Sequence, residues 1–277
     1  MKKPKPLFII SLLAIFPLPQ LAIDLYLPSL PVMLLSMHTS SLLLQLTLTV
    51  YIFFLGLSQL IYGPLSDQFG RKPILLMGVL IFSVGSLSAA FSISIYTLLI
   101  SRAIQGLGMG CGFTIGSAII VESFSGKELI KMTTYSSMVY SLSPILAPVF
   151  GGYIQHYLGW QANFLIMSVL AITLLLAIYV FVPETNRHLK STALNRKNLI
   201  NTYAHMIKSI VFLGYIGILT LIFGIMVTFN VVGPFLMQNK FNISALIYGK
   251  FLFLVGGSYF LGTVFSSQLT FPPNLTP

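Results

Sequence analysis

The sequence predicts an all-α, polytopic membrane protein, with about eight hydrophobic helices threaded back and forth through a bilayer. Composition, the spacing of apolar runs and the placement of basic residues carry that prediction. Of 277 residues, 56% are hydrophobic and 7% charged, against roughly 25% charged in a soluble domain. No soluble fold hides that much apolar surface. A bilayer core asks for about 20 mostly apolar residues per helical span. Such runs fall at 7–31, 42–64, 74–93, 96–121, 133–155, 161–182, 209–233 and 246–267.

The first run follows Lys2, Lys3, Pro4 and Lys5, as a signal peptide would. No small-x-small cleavage pattern comes before Asp24 and seven more apolar runs follow, so the run reads as an uncleaved first span. Alternation from a cytoplasmic N-terminus puts Arg71, Lys72, Lys127, Lys131, Arg187, Lys190, Arg196, Lys197 and Lys208 on the side of the three N-terminal lysines. That is twelve of the fifteen basic residues, and basic residues are retained in cytoplasmic loops. Of the rest, Arg102 lies within a span, and Lys240 and Lys250 lie near the outer ends of the last two.

Net charge is +10, but the basic residues sit in short loops between spans, not on one solvated face as nucleic acid requires. The single cysteine, Cys111, excludes an intrachain disulfide framework. The scattered histidines His38, His156, His188 and His205 give no metal-ligand spacing. No cofactor is expected.

The organisation read from the chain is a six-helix bundle over 1–182, a polar, basic linker over 183–208, the start of a second bundle over 209–267, and a tail over 268–277. Asp24-x-x-x-Pro28 near the outer end of the first span is echoed by Asn230-x-x-x-Pro234 near that of the seventh. Parallel repeats of this kind are a transporter architecture.

Asp24 is the only acidic residue well inside a predicted span and Arg102 the only basic one. An ionised group in hydrocarbon costs roughly 2.5–3.5 kcal/mol even on insertion scales. At about 1.5 Å per residue both fall in the outer halves of their spans, so a pair between them is geometrically allowed. Such a pair serves either as a proton-responsive element lining a watery cavity or as a fixed structural ion pair, and the first reading is favoured. Gly106, Gly108, Gly110, Gly112 and Gly116 superficially resemble a nucleotide loop. Without a preceding strand or a following Lys-Ser/Thr, they read instead as close helix contacts. Cys111 among them reads as a small packing residue. Pro144 and Pro148 remove backbone donors and should kink the fifth span, while Gly151 and Gly152 soften its outer end. That bend either seals the half-bundle or is merely structural. Tyr26, Tyr51, Gln105 and Tyr140 are cavity candidates, with Phe53, Phe54, Tyr62 and Tyr135 as further aromatics; Trp160 reads as an interfacial anchor.

Gly63-x-x-x-Asp67-x-x-Gly70-Arg71-Lys72 is the most specific string in the chain. Gly63 allows close helix approach, Asp67 can pair with Arg71 or cap a helix, and Gly70 permits a tight turn. The string resembles the signature loop of the major facilitator superfamily. Arg102-x-x-Gln105-Gly106 resembles that superfamily's fourth-span motif. Ala147-Pro148-Val149-Phe150-Gly151-Gly152 resembles its antiporter motif, with Ala147 replacing the first glycine. Asp24-Leu25-Tyr26-Leu27-Pro28-Ser29-Leu30-Pro31, Pro144-x-x-Ala147-Pro148, Gly159-Trp160-Gln161-Ala162-x-Phe164 and Pro183-Glu184-Thr185 are similar to strings of the bicyclomycin/chloramphenicol resistance (Bcr/CflA) branch.

The resemblance implies a major facilitator fold and proton-coupled export of small hydrophobic drugs across a bacterial inner membrane. It casts Asp24 and Arg102 as the coupling residues, with drugs, protons and lipid as partners and no enzymatic activity. Members usually have twelve spans in about 400 residues, so the 277 residues are expected to correspond to a C-terminally shortened carrier that confers no resistance alone. The competing readings are a non-transporting remnant of a broken gene and a metabolite uptake carrier. The string at 147–152 argues against the uptake carrier, and the absence of Lys or Arg from 268–277 favours the remnant.

Overall fold

The computed structural model describes residues 5–186, 189 and 194–268. The tail over 269–277, the first four residues and Arg187, His188 and Lys190 lie outside them. Among the described residues there is no strand. We number the helices α1 (Pro6–Ser36), α2 (Ser41–Phe69), α3 (Arg71–Ala90), α4 (Ile95–Ser123), α5 (Gly126–Leu158), α6 (Trp160–Phe181), α7 (Arg196–Lys208), α8 (Ile210–Gln238) and α9 (Ala245–Gln268). All but α7 and α9 satisfy length and apolarity criteria for crossing a membrane over their described residues. The 24-residue α9 coincides with the eighth apolar run.

Local chemistry sets the ends. Ser40 caps α2 by accepting from the Leu43 N–H at 3.3 Å, and Ser94 and Thr97 form a reciprocal capping box at α4. Several helices outrun the apolar runs: α2 continues through Asp67 to Phe69, and α5 begins at Gly126, ahead of the run at 133. Hydrophobicity marks the bilayer thickness, whereas the hydrogen-bonded helix continues into the polar layer.

The first span is not one continuous helix. It breaks into Pro6–Leu13, Leu18–Asp24, a short 3₁₀ turn at Leu27–Ser29 and Leu30–Ser36. Pro17, Pro19, Pro28 and Pro31 each remove a backbone donor. Unwound backbone at membrane depth survives only where neighbouring protein satisfies it, and neighbours do so here. Tyr51 of α2 donates to the Pro19 carbonyl at 2.8 Å and Ser143 of α5 to the Pro17 carbonyl at 3.2 Å. Gln238 of α8 donates to the Pro28 carbonyl at 3.0 Å.

Glycines bring the remaining helices together. Around α4, a Cβ at Gly106 would strike the Tyr51 backbone, one at Gly110 Ser58, and one at Gly108 Phe82 and Gly78, so α2 and α3 both pack backbone-close on α4. Cys111 is fully buried against Gly78. Gly63, by contrast, leaves room for a Cβ at ordinary contact, 3.7 Å from Thr114, so it is not where α2 approaches closest. The fifth span divides at Leu142, with Pro144 opening its second segment. In that segment Gly151 lies so close to the Leu25 carbonyl that no Cβ would fit. On the other side, Gly249 of α9 packs on the Pro148 carbonyl. Most of α8 presents its apolar side chains outward.

Candidate functional site

Two polar clusters stand out. The first of the two centres on the break in α1. Asp24 closes the helical segment Leu18–Asp24 and is 2% exposed. Its carboxylate accepts from Gln20 Nε2 at 3.0 and 2.9 Å, one turn earlier on the same helix. The other end of the Gln20 amide accepts from the Tyr140 hydroxyl of α5 at 3.0 Å. A chain of three side chains thus links α5 to the carboxylate.

Arg102, from α4, is 0% exposed. It donates to the Ala22 carbonyl at 3.0 Å, to the Thr47 carbonyl at 3.4 Å and to Gln105 Oε1, whose amide nitrogen in turn reaches Ser86 at 2.7 Å. The guanidinium lies 4.6 Å from the Tyr26 ring centroid and 4.2 Å from that of Tyr51. An aromatic face stabilises a desolvated cation by about 2 kcal/mol. Nη2 has no partner and is buried.

The expected Asp24–Arg102 pair is not formed. Neither of the two ion pairs among the described residues involves either group. Arg102 instead satisfies the broken α1 backbone two residues before Asp24, and Gln20 takes the carboxylate. Two charges share one helical break and are held by different partners.

Sequence reading missed two contributors from α8 and α9. Asn230 of α8 is buried and joins Gln20, Ile23, Leu48, Ile52 and Phe223 in lining a narrow crevice with interior room for about one water. The crevice is smaller than a drug pocket, which occupies roughly 300–1,000 Å³. Tyr248 of α9 is 1% exposed, its hydroxyl has no partner, and it lies within electrostatic reach of Asp24. The Asn230 echo of Asp24 was the available signal for the first. Nothing in the local sequence marked the second.

Among the proposed aromatics, Phe53 and Tyr135 are exposed, while Tyr26 and Tyr51 are buried around Arg102. Trp160 corrects an expectation: it is buried, edge-on to Phe164 at 6.2 Å, and packs inward rather than anchoring at an interface. Pro148, Ala147, Gly151 and Gly152 are buried where the second segment of α5 meets the α1 break.

The second cluster surrounds Gly70, whose φ of +100° turns α2 into α3. Arg71 pairs with Asp67 at 2.7 Å and with Glu122, at the end of α4, at 2.8 Å; it also donates to Ser66 at 2.6 Å. Glu184 accepts from the backbone N–H groups of Arg71 and Lys72, each at 3.0 Å, placing an anion at the N-terminus of α3. Thr185 donates to Glu122 at 2.6 Å, Asn186 to the Ser66 and Asp67 carbonyls, and Lys72 to the Tyr179 carbonyl at 2.8 Å. This cluster ties four helix ends to the start of the linker. Glu122 and Asn186 escaped sequence reading because their relation to the loop exists only in three dimensions.

A broken first helix carrying a buried carboxylate, a caged arginine on the fourth and an ion-paired turn between the second and third define a polytopic transporter. The Major Facilitator Superfamily pattern matches residues 12–275, so the chain belongs to that superfamily. It is 27% identical over 90% of its length to a bicyclomycin resistance protein homolog of Haemophilus influenzae and 34% identical over 61% to a chloramphenicol resistance protein of Pseudomonas aeruginosa. These likenesses agree with the Bcr/CflA branch. The chain spans 62% of the first relative and 40% of the second. Its fold matches the crystal structure of the human organic anion transporter MFSD10 with a TM-score of 0.72, at 20% identity, over 97% of this chain and 74% of that one.

Proposed function

We propose that the chain forms the proton- and substrate-binding part of a drug:proton antiporter of a bacterial inner membrane, with its N-terminus in the cytoplasm. Asp24 carries the proton, and a small hydrophobic drug displaces it by binding beside Gln20 and Asn230 in a conformation in which the crevice has widened. The observation that supports this most is the burial of Asp24 with an amide and no cation on its carboxyl. A permanent ion pair would fix its charge, whereas a neutral amide leaves both protonation states accessible while burial keeps the cost of charging the group high. Arg102 holds the α1 break open, and the Gly151 contact ties the bend in α5 to the same break. The resistance functions named for the relatives agree with a drug as substrate.

Binding requires only this site and not a whole transport cycle, so it can be measured on the purified chain in nanodiscs. Competition with one proton predicts that chloramphenicol affinity rises with pH by up to about tenfold per unit, over the range in which Asp24 is protonated. The Asp24→Asn variant should lose that slope while still inserting into the membrane. A slope unchanged in the variant would exclude Asp24 as the coupling group. The orientation is checked by labelling Lys190→Cys with an impermeant thiol reagent: labelling from outside whole cells contradicts it.

A further inference from the structure

The stretch read from sequence as a polar linker contains the helix α7, Arg196–Lys208, which no part of the transport reading uses. Its sequence, Arg-Lys-Asn-Leu-Ile-Asn-Thr-Tyr-Ala-His-Met-Ile-Lys, has three basic residues and no acidic one. Leu199, Ile200, Tyr203, Met206 and Ile207 recur at helical spacing, giving an apolar stripe about 120° wide. A stripe of that width in a soluble protein faces a core. Here Ile200 is 54% and Ile207 62% exposed.

The helix has a definite place. The Tyr203 hydroxyl donates to the Leu60 carbonyl of α2 at 2.6 Å, and the Leu194 N–H, just before α7, donates to Gln68 at 3.3 Å. Both contacts lie on the half of α2 that ends at the Arg71 cluster. At the other end, Ser209 breaks the helix with extended backbone (ψ 113°) and caps α8, whose first apolar residue, Ile210, is exposed. The chain therefore passes within two residues from α7 into a membrane span. An exposed apolar stripe at that depth lies at the lipid boundary. On a helical wheel at about 100° per residue, Lys197 and Lys208 fall 20° apart, 60–80° past the Ile200 edge of the stripe, and Arg196 falls in line with the stripe at its N-terminal end.

We propose that α7 lies in the headgroup layer as an amphipathic anchor and binds anionic phospholipid, with Ile200 and Ile207 entering the acyl boundary and the basic residues meeting lipid phosphate. An apolar face with Lys/Arg at its margin and no acidic residue suits an anionic membrane surface, where burial and charge attraction add. Through Tyr203 and Gln68 the anchor is coupled to the α2 end that carries Asp67.

The proposal does not depend on the antiport reading and is tested without transport. Cysteine placed at Ile200 or Ile207 carries an environment-sensitive fluorophore, Cys111 being fully buried. The 277-residue protein is then held in nanodiscs of phosphatidylcholine alone or with phosphatidylglycerol, each containing lipids with a spin label at headgroup-proximal depth. The expected result is strong quenching with phosphatidylglycerol that falls by about half in its absence, and equally in an R196Q/K197Q/K208Q variant. Quenching equal in both lipids and in the variant overturns the anionic recognition. No quenching in either lipid overturns the anchor and places α7 in water or against protein. A probe on the far face, at position 205, which falls 140° from Ile200 and 160° from Ile207 at about 100° per residue, controls for misfolding: it should stay unquenched in both lipids, and quenching there contradicts the orientation proposed for the helix.

Discussion

The two charge clusters of this protein obey opposite rules. At the α2–α3 turn, Arg71 touches two carboxylates and a hydroxyl, a third carboxylate caps the next helix, and the groups reach solvent. At the α1 break, one carboxylate and one guanidinium are almost wholly buried and do not touch. Paired charges near water hold a conformation and resist changes of protonation. Buried charges held separately by neutral dipoles remain free to respond to a proton or a ligand. The contrast separates a part that fastens helix ends from a part suited to coupling.

The largest effect should come from Arg102→Ala. It would strip donors from the Ala22 and Thr47 carbonyls and from Gln105 at once, in a fully buried site. Buried acceptors left unsatisfied cost about 1–3 kcal/mol each, so a loss of about 3 kcal/mol or more is expected in thermal unfolding in detergent. A variant as stable as the parent would show that the α1 break does not depend on this arginine.

Arg71→Ala should cost less, about 1 kcal/mol, because its partners are partly exposed and such pairs are screened. Its signature is salt dependence: the gap between parent and variant should narrow from low to high ionic strength. A gap insensitive to salt would mean that packing, not charge, dominates the turn.

The smallest effect is expected for Tyr248→Phe. Its hydroxyl makes no hydrogen bond, so removing it should move stability by no more than about 0.5 kcal/mol. Any change should appear instead in the pH dependence of drug binding, through Asp24. A large destabilisation would reveal a partner for that hydroxyl and bring α9 into the structural core of the site.

The sequence exposed the helices well because the bilayer imposes its thickness on apolar run length, and the Gly70 turn because few backbones other than glycine accept a φ of +100°. It offered Asp24 and Arg102 as a possible pair and Tyr26 and Tyr51 as cavity candidates; in the structure both rings pack on the Arg102 guanidinium. What it could not supply was rotation. Whether Arg102 reaches Asp24 or the Ala22 carbonyl depends on how α1 unwinds, and four prolines announce a break without fixing its angles. Trp160 failed for the same reason: position along a span says how deep a ring sits, not whether it faces lipid or protein. The helix α7 was hidden by its polar composition, since its amphipathic stripe is only five residues within a basic segment.

The central claim is that Asp24 holds a proton that the substrate displaces. The most direct measurement is the infrared difference spectrum of the purified protein on adding chloramphenicol, with the carboxyl carbonyl stretch followed in H₂O and D₂O at a pH where the apo protein is protonated. The account predicts a negative protonated-carboxyl band that shifts in D₂O and is absent from Asp24→Asn. The same band persisting in Asp24→Asn, or no carboxyl band despite demonstrated drug binding, would contradict it.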